Sequence, residues 1–180
     1  MLEITVPAAE LWDEINNQFI YTKKQTLRLE HSLVSLSKWE SKWCKPFLSK
    51  TDKTTQEIID YVKCMTLTQN VPDEVYMCLT ADNLREIDNY INAPMTATWF
   101  NDDKTAKGSS EQITSELVYY WMIAHSIPVK FEKWHLNRLL TLIRVCDIKS
   151  QPPKKMSKKA IMSRNTALNA ARRKQLNTRG

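Results

Sequence analysis

The stretch SLVSLSKWESKW, residues 32–43, carries the change of period that decides the fold. Leu36, Trp39 and Trp43 recur at spacings of three and four, which places them on one helical face until Pro46 stops the pattern. Before this stretch the period is two. Leu2, Ile4 and Val6 alternate with Glu3 and Thr5, and Leu27 and Leu29 alternate with Arg28 and Glu30. INNQ (15–18) and TKKQ (22–25) read as turns on either side of Phe19, Ile20 and Tyr21. Residues 1–31 are therefore expected to form a small antiparallel β-meander of three or four strands, with helices dominating afterwards.

Working downstream, TTQEIIDYVKCM (54–65) opens with Thr54 three residues before Glu57, the spacing of a capping box, and sets Ile58, Val62 and Met65 on one face. Thr80 is placed to cap a helix whose stripe is Leu84, Ile87 and Ile91. The polar run TWFNDDKTAKGSSEQ (98–112) reads as a loop. Beyond it, Ile113, Leu117, Tyr120, Trp121 and Ala124 form a stripe that Val118 and Met122 widen, the pattern of a central helix. Pro128 restarts the chain. FEKWHLNRLLTLIRVC (131–146) then carries Leu136, Leu139, Leu140 and Ile143 on one side, with Trp134, Leu142 and Val145 elsewhere. The expected fold class is α+β, mainly α-helical: a globular domain over 1–150, made of the meander (1–31) and a helical bundle (32–150), followed by a basic tail over 151–180. Within that tail Ser157 is placed to cap a helix, KKAIMSRNTALNAARRKQL, with good helix propensity and only a sparse stripe of Ile161, Leu168 and Leu176.

Charge supports this division. The chain carries a net charge of +6, yet residues 151–180 hold nine Lys and Arg and no acid. The remainder has 17 basic and 20 acidic residues, a net charge of −3. A nearly neutral body with one cationic appendage is not a domain built around a phosphate-binding face. The tail itself reads either as a solubilising, mobile terminus or as a polyanion-binding arm with steep salt dependence.

Several chemistries lack their residues. Glycine occurs only at 108 and 180, so no Gly-rich phosphate loop exists. Cys44, Cys64, Cys78 and Cys146 are scattered beside apolar runs without a CxxC pair, which reads as buried reduced thiols. His31, His125 and His135 fall on separate elements with no ligand at zinc spacing, and no metal or cofactor is expected. Asp102 and Asp103 have no carboxylate companions for hydrolysis, and a Cys/His nucleophile pair has no positive support. KWESKWCKPF alternates tryptophan with lysine, but Trp39 and Trp43 lie four apart on one face, the arrangement of core packing and not of a base-stacking platform. With no basic leader and no apolar run of membrane length, a soluble intracellular protein is expected.

The polar set His135, Asn137, Arg138 and Arg144 interrupts an apolar helix. It reads first as a solvated face or as partners for acids such as Glu116 and Glu132, and second as a partner-binding rim.

ITSELVYYWMIAHSIPVKFEKWHLNRLLTLIRVCDIKSQPPKKMSKK (113–159) followed by RNTALNAARRKQLNTRG (164–180) resembles a group of small tail assembly chaperones of long-tailed bacteriophages. LEHSLVSLSKWESKWCKPFL (29–48) and YVKCMTLTQNVP (61–72) are similar to the same group, so the resemblance covers nearly the whole chain. It implies a non-enzymatic factor of the host cytoplasm, absent from the mature virion, that holds the tape measure protein until tail tube subunits polymerise around it. Such genes often give a longer frameshifted product, and NTRG would suit the end of the short form. A chaperone for a long helical chain needs apolar grooves that accept amphipathic helices. Residues 113–124 and 131–146 would supply one, with Arg138 and Arg144 at its rim and the tail contacting acidic protein surfaces.

The candidate partner-binding residues are Trp121, Trp134, His135, Arg138 and Arg144 in the body, and Lys154, Lys155, Arg172 and Arg173 in the tail. The expected partners are the tape measure and tail tube proteins, with a homo-oligomer and, through the tail alone, nucleic acid as further readings. No membrane contact is expected. The rival reading is a virion structural protein at the head-tail junction or in the tail, whose basic arm touches DNA or a neighbouring subunit. A nucleic-acid-binding regulator is a second rival.

Overall fold

The computed structural model describes residues 1–13, 17–49, 51–100, 112–151 and 157–178. The chain forms two compact units, Met1–Asp147 and Ile148–Gly180, so the division falls three residues before the boundary read from the sequence. The fold is α+β and mainly α-helical, with its strands confined to the N-terminal end.

Four antiparallel strands, β1 (Leu2–Val6), β2 (Ala9–Asp13), β3 (Gln18–Thr22) and β4 (Gln25–Leu29), pair in nested order, β1 with β4 and β2 with β3. The register is continuous from Leu2↔Leu29 to Asp13↔Gln18, so they make one long ribbon and are not laid side by side in chain order. TKKQ is accordingly not a reversal. Lys23 and Lys24 face the break in the ladder at Pro7 and Ala8, where proline has no N–H to donate. The Thr22 hydroxyl closes the ladder beyond the break, accepting from the Ala9 N–H at 3.0 Å and donating to the Ala9 carbonyl at 3.1 Å. Of INNQ, residues 15 and 16 lie outside the described residues, and Asn17 takes the left-handed conformation that asparagine tolerates. Pairing of Ile4 with Leu27 and Leu2 with Leu29 directs the near half of the ribbon into the core. In the far half Trp12 and Phe19 meet edge to face at 4.8 Å on an exposed surface. Residues at the end of the second helix cover the free edge of β4, with the Glu30 N–H on the Met65 carbonyl and the Leu67 N–H on the Arg28 carbonyl.

The decisive stretch forms α1 (Leu33–Trp43), with Ser32 as its N-cap. Ser32 and Ser35 satisfy each other's backbone N–H groups reciprocally, and the helix ends at Cys44 in a left-handed turn whose N–H bonds the Glu40 carbonyl. α1 divides the body's apolar interior. Trp39 enters a first cluster with β1, β4, α2 (Thr55–Met65), α3 (Asp73–Met77) and α4 (Ala81–Asn92), and its indole N–H donates to the Glu57 carbonyl at 2.8 Å. Leu33 and Leu36 enter a second cluster with Val118 and Met122 of α5 (Ser115–Ala124), Ile127, and Leu136, Leu139 and Ile143 of α6 (Leu136–Ser150).

The Thr54 capping box forms as its spacing requires, with the Thr54 hydroxyl accepting from the Glu57 N–H and the Glu57 carboxylate from the Thr54 N–H. Thr54→Ala should destabilise the protein by about 1 kcal/mol, read as a shift in urea midpoint without a change in slope. The stripe expected on α2 is only partly inward. Val62 and Met65 are buried, while Ile58 is 43% exposed because Tyr61 and Glu57 turn in instead.

The second unit takes in the last residues of α6 and, as its own element, α7 (Lys158–Leu176), a 19-residue helix on which every side chain described is exposed.

Candidate functional site

α5 is positioned from its first residue. Thr114 caps it, accepting from the Leu117 N–H, and the buried carboxylate of Glu40 on α1 accepts the Ser115 N–H at 2.7 Å with one oxygen and the Phe47 N–H at 2.9 Å with the other. A carboxylate at a helix N-terminus also meets the positive end of the helix dipole. At the other end Ser126 is left-handed, and the Ser126 and Ile127 N–H groups bond the Ile123 and Met122 carbonyls, a Schellman ending with Ile127 packed in the second cluster.

Between these ends α5 is not the central helix its breadth suggests. Only Ser115, Val118 and Met122 are buried, on the side that packs against α1, Ile127 and the inward face of α6. The expected stripe is only partly inward: Val118 and Met122 are buried, whereas Tyr120 is 63% exposed, and Ile113 and the half-buried Trp121 line an open groove; Ile123, outside that stripe, is 75% exposed. The groove, about 430 Å³, runs between α5 and α6 with Ile113, Trp121, Leu140 and Ile143 as its apolar wall and His125, Arg144 and Asp147 as its polar edge. Arg144 also lies over the Phe100 ring, 4.1 Å from its centroid. On its far side a second hollow of about 350 Å³ continues along the segment that includes Pro94, Thr96 and Thr98. Trp99 in that segment is 92% exposed.

The structure sorts the body residues expected to bind a partner into three groups and sets those of the tail apart. Trp121 and Arg144 belong to the groove. Trp134 and Arg138 do not join them: the Arg138 guanidinium lies 4.1 Å over Trp134, which stacks on Phe131 at 4.0 Å in a separate surface column. Arg138 and Arg144 lie roughly 120° apart around α6, so they cannot share one rim. His135 is a correction. It is 7% exposed and makes no surface, because residues 129–133 form a short 3-10 helix and the chain then runs extended through His135, which bridges to Ser32 before α6 begins at Leu136. Arg172 and Arg173 lie on α7, and Lys154 and Lys155 fall outside the described residues.

His135 instead completes a buried polar chain. Its Nδ1 accepts from the Asn137 N–H at 3.3 Å, which leaves Nε2–H to donate to the Tyr90 carbonyl at 3.0 Å. Its ring meets that of His31 at 5.1 Å, and His31 Nδ1 lies 2.6 Å from the Tyr61 hydroxyl. Burial, with the neighbouring His135, holds the His31 imidazole down at about 3, and burial also lowers His135. Asn137 donates to the Ile91 and Ala93 carbonyls, tying the end of α4 to α6. All four polar residues that interrupt α6 in the sequence thus have internal contacts or stacking partners, and of the four only Arg144 also lines the groove.

A second apolar groove, about 470 Å³, opens between α2 and α4. Ile58, Leu84, Ile87 and Ile91 line it, with Asp52, Lys53 and Asp88 at the edges. Among the described residues no group of three His, Cys, Asp or Glu side chains is placed to hold a metal ion, and no helix is long and apolar enough to cross a membrane. What the two grooves can do chemically is bury the apolar side of another chain.

No family model, curated protein or solved structure matches the chain.

Proposed function

We propose that this protein is a non-enzymatic tail assembly chaperone of a long-tailed bacteriophage, which holds amphipathic helices of the tape measure protein in the α5–α6 groove until tail tube subunits assemble around them. The observation that carries the reading is the outward apolar surface of α5. A groove walled by Ile113, Trp121, Leu140 and Ile143, flanked by Tyr120 and Ile123, presents the kind of trough into which a helix seats residues at i, i+3, i+4 and i+7. Arg144 and Asp147, of opposite sign on one edge, would select the register of a charged helix flank. The sequence resemblance to the chaperone group names the helical client. On this reading the protein acts in the host cytoplasm and leaves before the virion matures. The rival, a structural protein at the head-tail junction, draws its support from the basic helix α7.

The test is recovery of tagged protein from infected cells, with partners identified by mass spectrometry and mature particles assayed separately. The parent chain should bring down the tape measure protein and be missing from particles. Ile113→Asp, at a position already 37% exposed, should reduce recovery roughly tenfold while leaving the thermal midpoint within a few degrees. Presence in particles together with portal or tube proteins would replace the chaperone reading with the structural one.

A further inference from the structure

The basic helix α7 plays no part in the groove reading, and its geometry points elsewhere. Within Lys158–Leu176 the cations are Lys158, Lys159, Arg164, Arg172, Arg173 and Lys174, with no acid among them. At about 100° per residue they are spread so that no arc wider than roughly 80° is free of positive charge. An amphipathic helix that seats in a protein groove needs an apolar stripe of about 100° or more. Here Ile161, Met162, Leu168 and Leu176 fall within one arc of about 120°, but Lys158 and Arg172 lie inside that same arc and interrupt it. Ile161, Met162, Leu168 and Leu176 are all at least 43% exposed.

Positive charge on every side suits a ligand that presents negative charge on every side. A flat acidic protein surface would contact one face and leave the remaining cations in solvent. The major groove of B-form DNA, about 12 Å wide, takes a helix with its side chains between two walls of phosphate. Three alanines, at 167, 170 and 171, keep the helix slender, and Asn165, Asn169 and Gln175 supply amide groups of the kind that reach base edges and phosphates. We infer that α7 is a DNA-binding helix that lies in the major groove of a B-form duplex and is held mainly by phosphate contacts. This goes beyond the chaperone reading and does not rest on it.

The experiment titrates full-length protein into a fluorescent duplex of about 20 base pairs across a salt series. With about four phosphates neutralised, affinity should fall roughly a hundredfold between about 50 and 200 mM salt. The variant Arg172→Gln, Arg173→Gln, Lys174→Gln should bind roughly tenfold or more weakly at intermediate salt. Ala167→Pro keeps every charge and breaks the helix at its centre, so it should lose a similar factor. A proline variant that binds as tightly as the parent would show a flexible polycation and overturn the inference. Equal affinity for an A-form RNA duplex, whose major groove is too deep and narrow for the helix, would overturn it as well. So would tighter binding to an acidic helical peptide than to DNA, which would return α7 to a protein partner.

Discussion

Acidification from pH 7 to pH 3 should remove about 4 kcal/mol of stability through His31 alone. The imidazole is 1% exposed in the folded protein and titrates at about 3, pushed down by burial and then by its neighbour His135. In the unfolded chain it titrates near 6.5. Above that value both states hold a neutral ring and the group contributes nothing to the pH dependence. Between about 6.5 and 3 the unfolded chain binds a proton that the folded protein refuses, so stability falls as the pH falls, by roughly 3 kcal/mol at pH 4.5. His135, lowered for the same reason, acts in the same direction. Glu57 joins only in stronger acid, because the Lys45 ammonium 2.6 Å away holds its carboxyl below the usual range. Melting curves at half-unit pH steps separate these groups. His31→Gln, with no titrating ring, should flatten the profile between about pH 6.5 and 4.5, and a parent profile already flat over that window would sink the idea.

The second large effect belongs to Glu40. Its two carboxylate oxygens accept from the backbones of Phe47 and Ser115, and among the described residues neither N–H has another acceptor. Glu40→Ala strands both donors and removes the negative charge at the α5 N-terminus. Hydrogen bonds to a charged group contribute about 1.5–3 kcal/mol each, so a loss of about 3 kcal/mol is expected, or roughly 6–12 °C in melting temperature. Glu40→Gln keeps one oxygen and should lose about half as much. A Glu40→Ala protein that melts with the parent would show that water reaches these N–H groups and that α5 is held by its apolar side alone.

Glu40 also shows where sequence reading stops. The change of period at residues 32–43 and the Thr54–Glu57 spacing are local signals, and α1, α2 and the alternating strands were legible from them. Strand pairing was not. A meander and a nested ribbon share the same alternation, and what separates them is which strand Pro7 interrupts and how Thr22 repairs the gap. The breadth of the apolar pattern on α5 was visible too, but breadth cannot distinguish a helix enclosed on all sides from one whose buried side is Ser115, Val118 and Met122 alone. A groove does lie between the two helices from which one was expected, and of the residues named as candidates only Trp121 and Arg144 line it. His135 and Asn137 look like a functional pair in sequence because polar residues in an apolar helix attract notice. Their partners, the Tyr90, Ile91 and Ala93 carbonyls, come from a helix about 45 residues earlier, and carbonyls have no sequence signature. Phe100, which carries Arg144, was hidden at the edge of a polar loop.

The division of the interior by α1 sets an order on chain closure. The first cluster is tied across α1 and α2 by Trp39 and Glu57, 18 residues apart, whereas the second waits on Glu40 and Ser115, 75 residues apart. Loop entropy makes the longer closure dearer by only about 1.3 kcal/mol, yet that difference separates an almost local event from a distant one. The ribbon and α2 can assemble on one side of α1 while its other side, Leu33 and Leu36, still faces water. The half of the molecule that holds the groove is thus the half whose assembly depends on the arrival of late sequence, and a nascent chain carries a bare apolar flank on α1 until residues 115–143 have been made.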